Sequence, residues 1–263
     1  MKFAYDVPGY LCGHRFSQDR RYYDATANRF YDLAGYNRFR SYAEVTVGTP
    51  AFSTHGTNAR EGLLLDNSCQ LQFVNPCPWE GTMIYVIKPT LPAGTTFLRP
   101  WHFGDAASST SNGLIGFNST LTANQIVAAG STPAVSAAWP TITIPSANGL
   151  LMVLMWAWDQ ETRILYNSRD AVTVTTSSAA SGTTNGNALS MGWNGNVGLT
   201  GSVGSRMVRL GNNTGTIGNV TPDATNYCHV FEQHFFKGNV LRNNLAEVKE
   251  FVDTLKAYYG VTV

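Results

Sequence analysis

Two short runs bring an aromatic ring together with hydrogen-bonding side chains, the mixture that sugar recognition uses. An aromatic face lies on the apolar face of a pyranose, and amides or carboxylates bond its hydroxyls. Trp101-His102-Phe103-Gly104-Asp105 offers this ahead of a Ser/Thr/Asn/Gly loop, and Trp193-Asn194-Gly195-Asn196 offers it at a predicted strand end. Trp139, followed by Pro140, is a third ring in a neutral loop. The candidate sugar contacts are therefore Trp193, Asn194, Asn196, Trp101, Asp105 and Trp139. Each stands against a competing reading, because a tryptophan in a β-sandwich usually packs in the core. Trp156 and Trp158 are read as core or subunit contacts.

Other chemistries find little footing. The histidines (His14, His55, His102, His229 and His234) show neither metal-ligand nor triad spacing. No glycine-rich stretch follows a strand and opens a helix, so no phosphate cradle is expected. The closest pair of mid-chain carboxylates, Asp159 and Glu161, falls at a predicted hairpin turn, where neither burial nor a facing cleft would raise a pKa for acid catalysis. Cys12, Cys69, Cys77 and Cys228 form no CxxC pair, and reduced, mostly buried thiols are expected. A Cys69–Cys77 disulfide is the alternative. Neither a metal nor a cofactor is expected.

The elements that must position these residues are strands. Only 13% of the chain is charged and the net charge is +1, which excludes a strongly basic nucleic-acid footprint. Positions 106–157 and 171–205 contain no Asp, Glu, Lys or Arg. Short apolar stretches separated by Gly, Asn, Pro and Ser at intervals of about ten residues are the spacing of an all-β sandwich. Strands are predicted at Thr82–Lys88, Gly113–Asn118, Thr141–Ile144, Leu150–Trp158, Arg163–Asn167, Ala171–Thr176, Ala188–Trp193 and Tyr227–Phe236. Cys69, Leu71 and Phe73 share one face. Leu150–Trp158 is apolar on both faces, so a helix, the N-terminal segment or a second subunit must cover its outer side. The longest apolar run is these nine residues, well short of the ~20 that a membrane-spanning helix needs.

One helix is predicted at the C-terminus. Asn244 caps it with Glu247 as reciprocal partner, Leu245, Val248, Val252, Leu255 and Tyr259 form its apolar stripe, and Gly260 stops it.

The first 42 residues differ from the rest. They carry 11 aromatics and six arginines without clear periodicity. Two readings apply: an irregular segment wrapped on the domain's own core, or a docking arm for a partner. Tyr and Arg are enriched at interface hot spots, so Tyr22, Tyr23, Phe30, Tyr31, Arg20 and Arg21 are the docking candidates. Residues 1–42 are thus taken as an arm for docking or oligomerisation, and 43–263 as the sandwich with its helix.

The order of motifs completes the reading. Asp32-Leu33-Ala34-Gly35 precedes Val47-Gly48-Thr49-Pro50-Ala51-Phe52 and Gly62-Leu63-Leu64-Leu65-Asp66. The strand Gly81–Pro89 follows, then the hairpin ending Leu165-Tyr166-Asn167, then Val230-Phe231-Glu232 and the helix ending Tyr258-Tyr259-Gly260. Over roughly residues 25–260 this resembles the LamG-like jelly-roll domains of the concanavalin A-like lectin/glucanase superfamily, as found in fibre and spike proteins of phages and gene-transfer agents. The resemblance implies an antiparallel jelly-roll β-sandwich with glycan binding on the concave face or its loops. It implies a virion or phage-like particle protein (head spike, fibre or decoration protein) with a lectin-like surface for host attachment. Its partners would be other virion proteins, bound through the arm, and host cell-surface polysaccharide. A homo-oligomer is expected, a trimer by analogy with fibres, with no nucleic acid and no membrane insertion. The start Met1–Asp6 lacks the apolar core of a secretory signal, so synthesis in a cytoplasm and display on the particle exterior are expected. The alternatives are a ligand-free capsid decoration protein and a glycoside hydrolase. Hydrolases of the superfamily carry Glu-x-Asp-x-x-Glu in a strand, a pattern missing here, so the expectation is that the chain is not an enzyme.

Overall fold

A computed structural model describes residues 2–34, 41–66, 68–74, 80–90, 97–105, 113–118, 124–130, 143–144, 149–159, 164–178, 206–211 and 227–262. The described chain is two antiparallel sheets and a C-terminal helix, the jelly-roll β-sandwich expected from the strand spacing. The first sheet runs β15 (Thr173–Ser178), β14 (Ile164–Arg169), β13 (Met152–Asp159), β8 (Gly81–Thr90), β17 (Tyr227–Lys237), β6 (Arg60–Leu65), β5 (Ala51–His55). β1 (Tyr10–Arg15) also pairs with β17, along its second half. The other sheet runs β12 (Thr143–Ile144), β11 (Asn124–Gly130), β10 (Gly113–Asn118), β9 (Phe97–Asp105), β16 (Arg206–Gly211), β7 (Cys69–Phe73), β4 (Tyr42–Gly48), β3 (Arg29–Tyr31), β2 (Tyr23–Asp24).

The two-faced strand explains the layering. In β13, Met152, Leu154 and Trp156 enter the core between the sheets with Met83, Tyr85, Leu71 and Phe73. Val153, Met155 and Ala157 point the other way, beneath the helix α2 (Leu245–Tyr259), whose Val248, Phe251, Val252, Leu255 and Tyr259 are buried there. The cover that the sequence demanded is thus the chain's own helix, joined by Ala4 and Val7 from the N-terminus. Cys12, Cys69 and Cys228 are buried free thiols. Burial raises the Cys12 and Cys69 thiols to about 12. Cys77 lies outside the described residues.

Two details of the helix differ from expectation. Asn244 makes no side-chain cap, because it closes a preceding short helix α1 (Val240–Asn243) and its backbone N–H bonds Val240. The working cap is Asn239, whose Oδ1 accepts from the Arg242 N–H at 3.1 Å. Leu245, at the first turn, is 37% exposed, and Phe251 takes its place in the stripe. The stop holds: Gly260 has φ 68° and donates its N–H to the Lys256 carbonyl.

The first 42 residues are built into both sheets. β1 pairs with β17, and β2 and β3 extend the second sheet. Phe16 and Phe30 are fully buried, and Tyr23 stacks on Phe30 at 4.6 Å. Phe30 is therefore a core residue, unavailable to a docking partner without unfolding the sheet. Arg20 and Arg21 are exposed, while Tyr22, Tyr23 and Tyr31 are half-buried.

The turn joining β5 to β6 ends on Ala59 with φ 48°, and the residue is exposed. That left-handed conformation costs an L-residue about 1 kcal/mol. Ala59→Gly is expected to raise the melting temperature by about 2 °C in a thermal scan. A lowered value would show that the turn is not strained.

Candidate functional site

The pairing of β1 with β17 sets Gly13 opposite His234 and Arg15 opposite Glu232. Alternation sends Arg15, Glu232 and His234 to the helix side, while Cys12 and Phe235 enter the core between the sheets. Gly13 is required there, since an added Cβ would run into His234 Nδ1.

Glu232 is the hub. Its Oε2 accepts from Arg15 Nε at 2.7 Å and from the Tyr259 hydroxyl at 2.6 Å, and its Oε1 meets His234 Nε2 at 2.8 Å. Burial alone would raise this carboxyl, but Arg15, His234 and Tyr259 overcome it and hold Glu232 down at about 2. Glu232 is thus a fixed anion with both oxygens engaged, not a proton donor. Tyr259 is raised by the same burial and by the neighbouring carboxylate.

Arg15 donates from Nη1 to the hydroxyls of Tyr22 at 2.9 Å and Tyr258 at 3.1 Å. Its guanidinium carbon lies 4.9 Å from the Tyr22 ring centre and 4.3 Å from that of Tyr258. Arg21 sits over the Tyr22 ring and Arg60 over the Tyr258 ring, at 5.4 and 3.9 Å. The result is a cation–π ladder, Arg21–Tyr22–Arg15–Tyr258–Arg60, that ties the N-terminal segment to the helix end. Above it opens a pocket of about 900 Å³ between residues 2–5, β1, β17 and α2. Phe3 and Tyr5 stack at 5.2 Å on its lip and are about half exposed.

A second surface lies on the outer face of the other sheet. Register sets Asp24, Arg29, Glu44, Gln72, Arg209 and His102 in one row across six strands. The alternating positions Phe30, Ala43, Leu71 and Phe73 are buried, so the Arg29–Glu44–Gln72 part of the row faces outward. Arg29 Nη2 bonds Glu44 Oε1 at 3.1 Å and lies 4.1 Å from the Tyr42 ring centre, and Tyr42 pairs with Tyr31. Backbone N–H groups of Ala27 and Thr26 and the Tyr31 hydroxyl hold Asp24 below the usual carboxylate range.

Of the residues singled out in the sequence, Trp193, Asn194, Asn196 and Trp139 lie outside the described residues. Trp101 and Asp105 belong to β9, where Trp101 is in register with Leu210 and Asp105 with Arg206. Tyr22 is brought to the pocket and Tyr31 to the outward row. Sequence reasoning missed Arg15, Glu232 and Asp253, whose neighbours come from more than 200 residues away in the chain or from a helix read only for its apolar stripe. The one local signal for the outward row was Cys69-Gln70-Leu71-Gln72-Phe73, whose apolar positions were noticed and whose glutamines were not.

No family model matches the chain, and no curated protein matches it in sequence. Solved structures match in fold. Domain 4 of AbnA, a GH43 extracellular arabinanase from Geobacillus stearothermophilus, solved with arabinotriose, aligns with TM-score 0.52 and 14% identity over 92% of this chain and 98% of that one. The binding domain of Paraclostridial Mosquitocidal Protein 1 aligns at 0.54 and 7% identity over 94% of this chain and 52% of that one. Trypanosoma rangeli sialidase, solved with sialic acid, aligns at 0.56 and 11% identity, over 96% of this chain and 34% of that one. The chain thus spans about half of the second and a third of the third. At such identities the likeness is one of fold, an antiparallel jelly-roll β-sandwich.

The expectation that the chain is not an enzyme is overturned here. The same fold forms part of an arabinanase and part of a sialidase, so a missing Glu-x-Asp-x-x-Glu pattern excludes nothing.

Proposed function

We propose that this chain is an exterior component of a phage or phage-like particle and binds host-surface glycan on the open face of its second sheet. The observation that carries the reading is the outward row, where Arg29, Glu44 and Gln72 stand beside Tyr31 and Tyr42. Carboxylate, amide and guanidinium groups at strand spacing match the paired hydroxyls of an extended saccharide, and the tyrosine rings supply apolar faces. The arabinotriose-bound arabinanase domain of the same fold supports the glycan class. The near-neutral composition supports a hydroxyl-rich ligand over a polyanion. LamG-like membership and the particle setting rest on the order of sequence motifs. Trp193, Asn194, Asn196 and Trp139 extend the same role to the loops. Attachment to the particle uses the exposed side of the N-terminal segment around Arg20 and Arg21.

A glycan array tests the reading, followed by titration of the best hit with Glu44→Gln and Tyr42→Ala variants. Each is expected to weaken binding about tenfold, or about 1.4 kcal/mol, with melting temperature unchanged. An array without hits, or affinities unmoved by both variants, overturns it. Labelled antibodies seen on purified particles in electron micrographs are the expected location.

A further inference from the structure

We propose that the pocket over Arg15 is a second binding site, on the opposite sheet from the glycan face, for a sugar bearing a carboxylate. Its floor is rich in donors. Arg15 commits Nε to Glu232 and Nη1 to two tyrosine hydroxyls, which leaves Nη2 outside these bonds. Tyr22 and Tyr258 both accept from Arg15, so each keeps its own hydroxyl hydrogen to donate to another acceptor. The Glu232 oxygens already accept from Arg15, Tyr259 and His234, and neither tyrosine hydroxyl is among their donors. Three converging donors around a guanidinium are the arrangement that receives a carboxylate. Lys2 also lines the pocket, with its Nζ 3.8 Å from Glu250 Oε2.

The walls define the rest of the ligand. Phe3, Tyr5, Tyr10 and Phe251 line the cavity with rings, and Phe3 and Tyr5 leave their outer surfaces exposed to stack on a pyranose. Asp253 also lines the wall. It repels a ligand charged throughout but accepts from hydroxyls on a neutral ring body, with Thr254 beside it. One carboxylate directed to the floor and hydroxyls directed to Asp253 describe a sugar acid, not a neutral sugar or an aromatic acid.

The test is NMR titration of the full-length protein with glucuronate, glucose and benzoate. Glucuronate is expected to bind, with resonances of Phe3, Tyr5 and Tyr258 shifting, and the other two at least tenfold more weakly. Tyr22→Phe/Tyr258→Phe keeps both rings on Arg15 and removes both hydroxyl donors. It is expected to reduce glucuronate affinity about tenfold while leaving glycan binding by the open face intact. Equal binding of glucose or benzoate, no binding of glucuronate, or glucuronate affinity unmoved in the double variant each overturns the assignment. Loss of open-face binding through Glu44→Gln, with glucuronate binding retained, separates the two sites.

Discussion

Arg15→Met is expected to lower the free energy of unfolding by about 3–5 kcal/mol, the cost of leaving a buried carboxylate unpaired. The Glu232 side chain is 3% exposed and that of Arg15 is 18% exposed, so with methionine in the guanidinium's place little water reaches the carboxylate. Methionine keeps most of the aliphatic length and removes the charge, the bond to Oε2 and both tyrosine contacts. Glu232→Leu alone should be milder in kind, because Arg15 retains Tyr22, Tyr258 and access to the pocket. The Arg15→Met/Glu232→Leu double variant is the informative one. An apolar replacement of a buried ion pair is often nearly neutral, so the double variant should recover most of what the first substitution loses. Denaturant unfolding of the four proteins gives the coupling energy directly. Additive losses would show that each residue acts through its packing and that the ion pair is not the hub described above.

The depth at which features were legible in the sequence follows from how local their causes are. The two-faced Leu150–Trp158 run and the helix stripe at Val248, Val252, Leu255 and Tyr259 predicted each other, since an apolar outer face requires a cover. Gly260 was legible because a left-handed stop is decided by one residue. Gln72 was legible only as part of the polar half of an alternation, because the row it joins is assembled by register across strands distant in the chain. The N-terminal segment was only half legible for a related reason. β2 and β3 have two and three residues, too few to display a period, and Gly13 looks out of place in a strand until His234 is seen above it. The Arg–Tyr composition there was noticed and assigned to an interface. Its partners are within the chain, in Tyr258 and Glu232. Removing residues 1–40 would therefore strip β1 from β17, and point changes at Arg20 and Arg21 are the sound probe of particle attachment.

Acid is expected to weaken the fold from about pH 6.5 downward, and the buried histidines decide where the loss begins. His14 is fully buried with neither ring nitrogen hydrogen-bonded. Burial, then the neighbouring His234, lowers it to about 3. His229 is lowered to about 4 by burial, then by His55 and Lys88, with Asp66 opposing. His55, beside Lys88 Nζ at 2.9 Å, is lowered by burial and by that ammonium. In the unfolded chain each histidine protonates near 6.5, so the unfolded state binds more protons below that pH. Stability present above pH 6.5 is then lost as pH falls toward 4 and 3, at up to about 1.4 kcal/mol per pH unit for each histidine. Glu232 adds a loss in the same direction between its ordinary 4.5 and about 2. Asp32 and Asp170, both raised by burial, act oppositely: the folded state holds their protons longer, and their contribution is lost as pH rises through the raised values. Denaturant unfolding from pH 7.5 to pH 4 should therefore show a decline beginning near 6.5, shallower in His14→Leu and in His229→Gln. A flat profile over that range, or the same slope in both variants, would mean that the buried histidines are not what acid attacks.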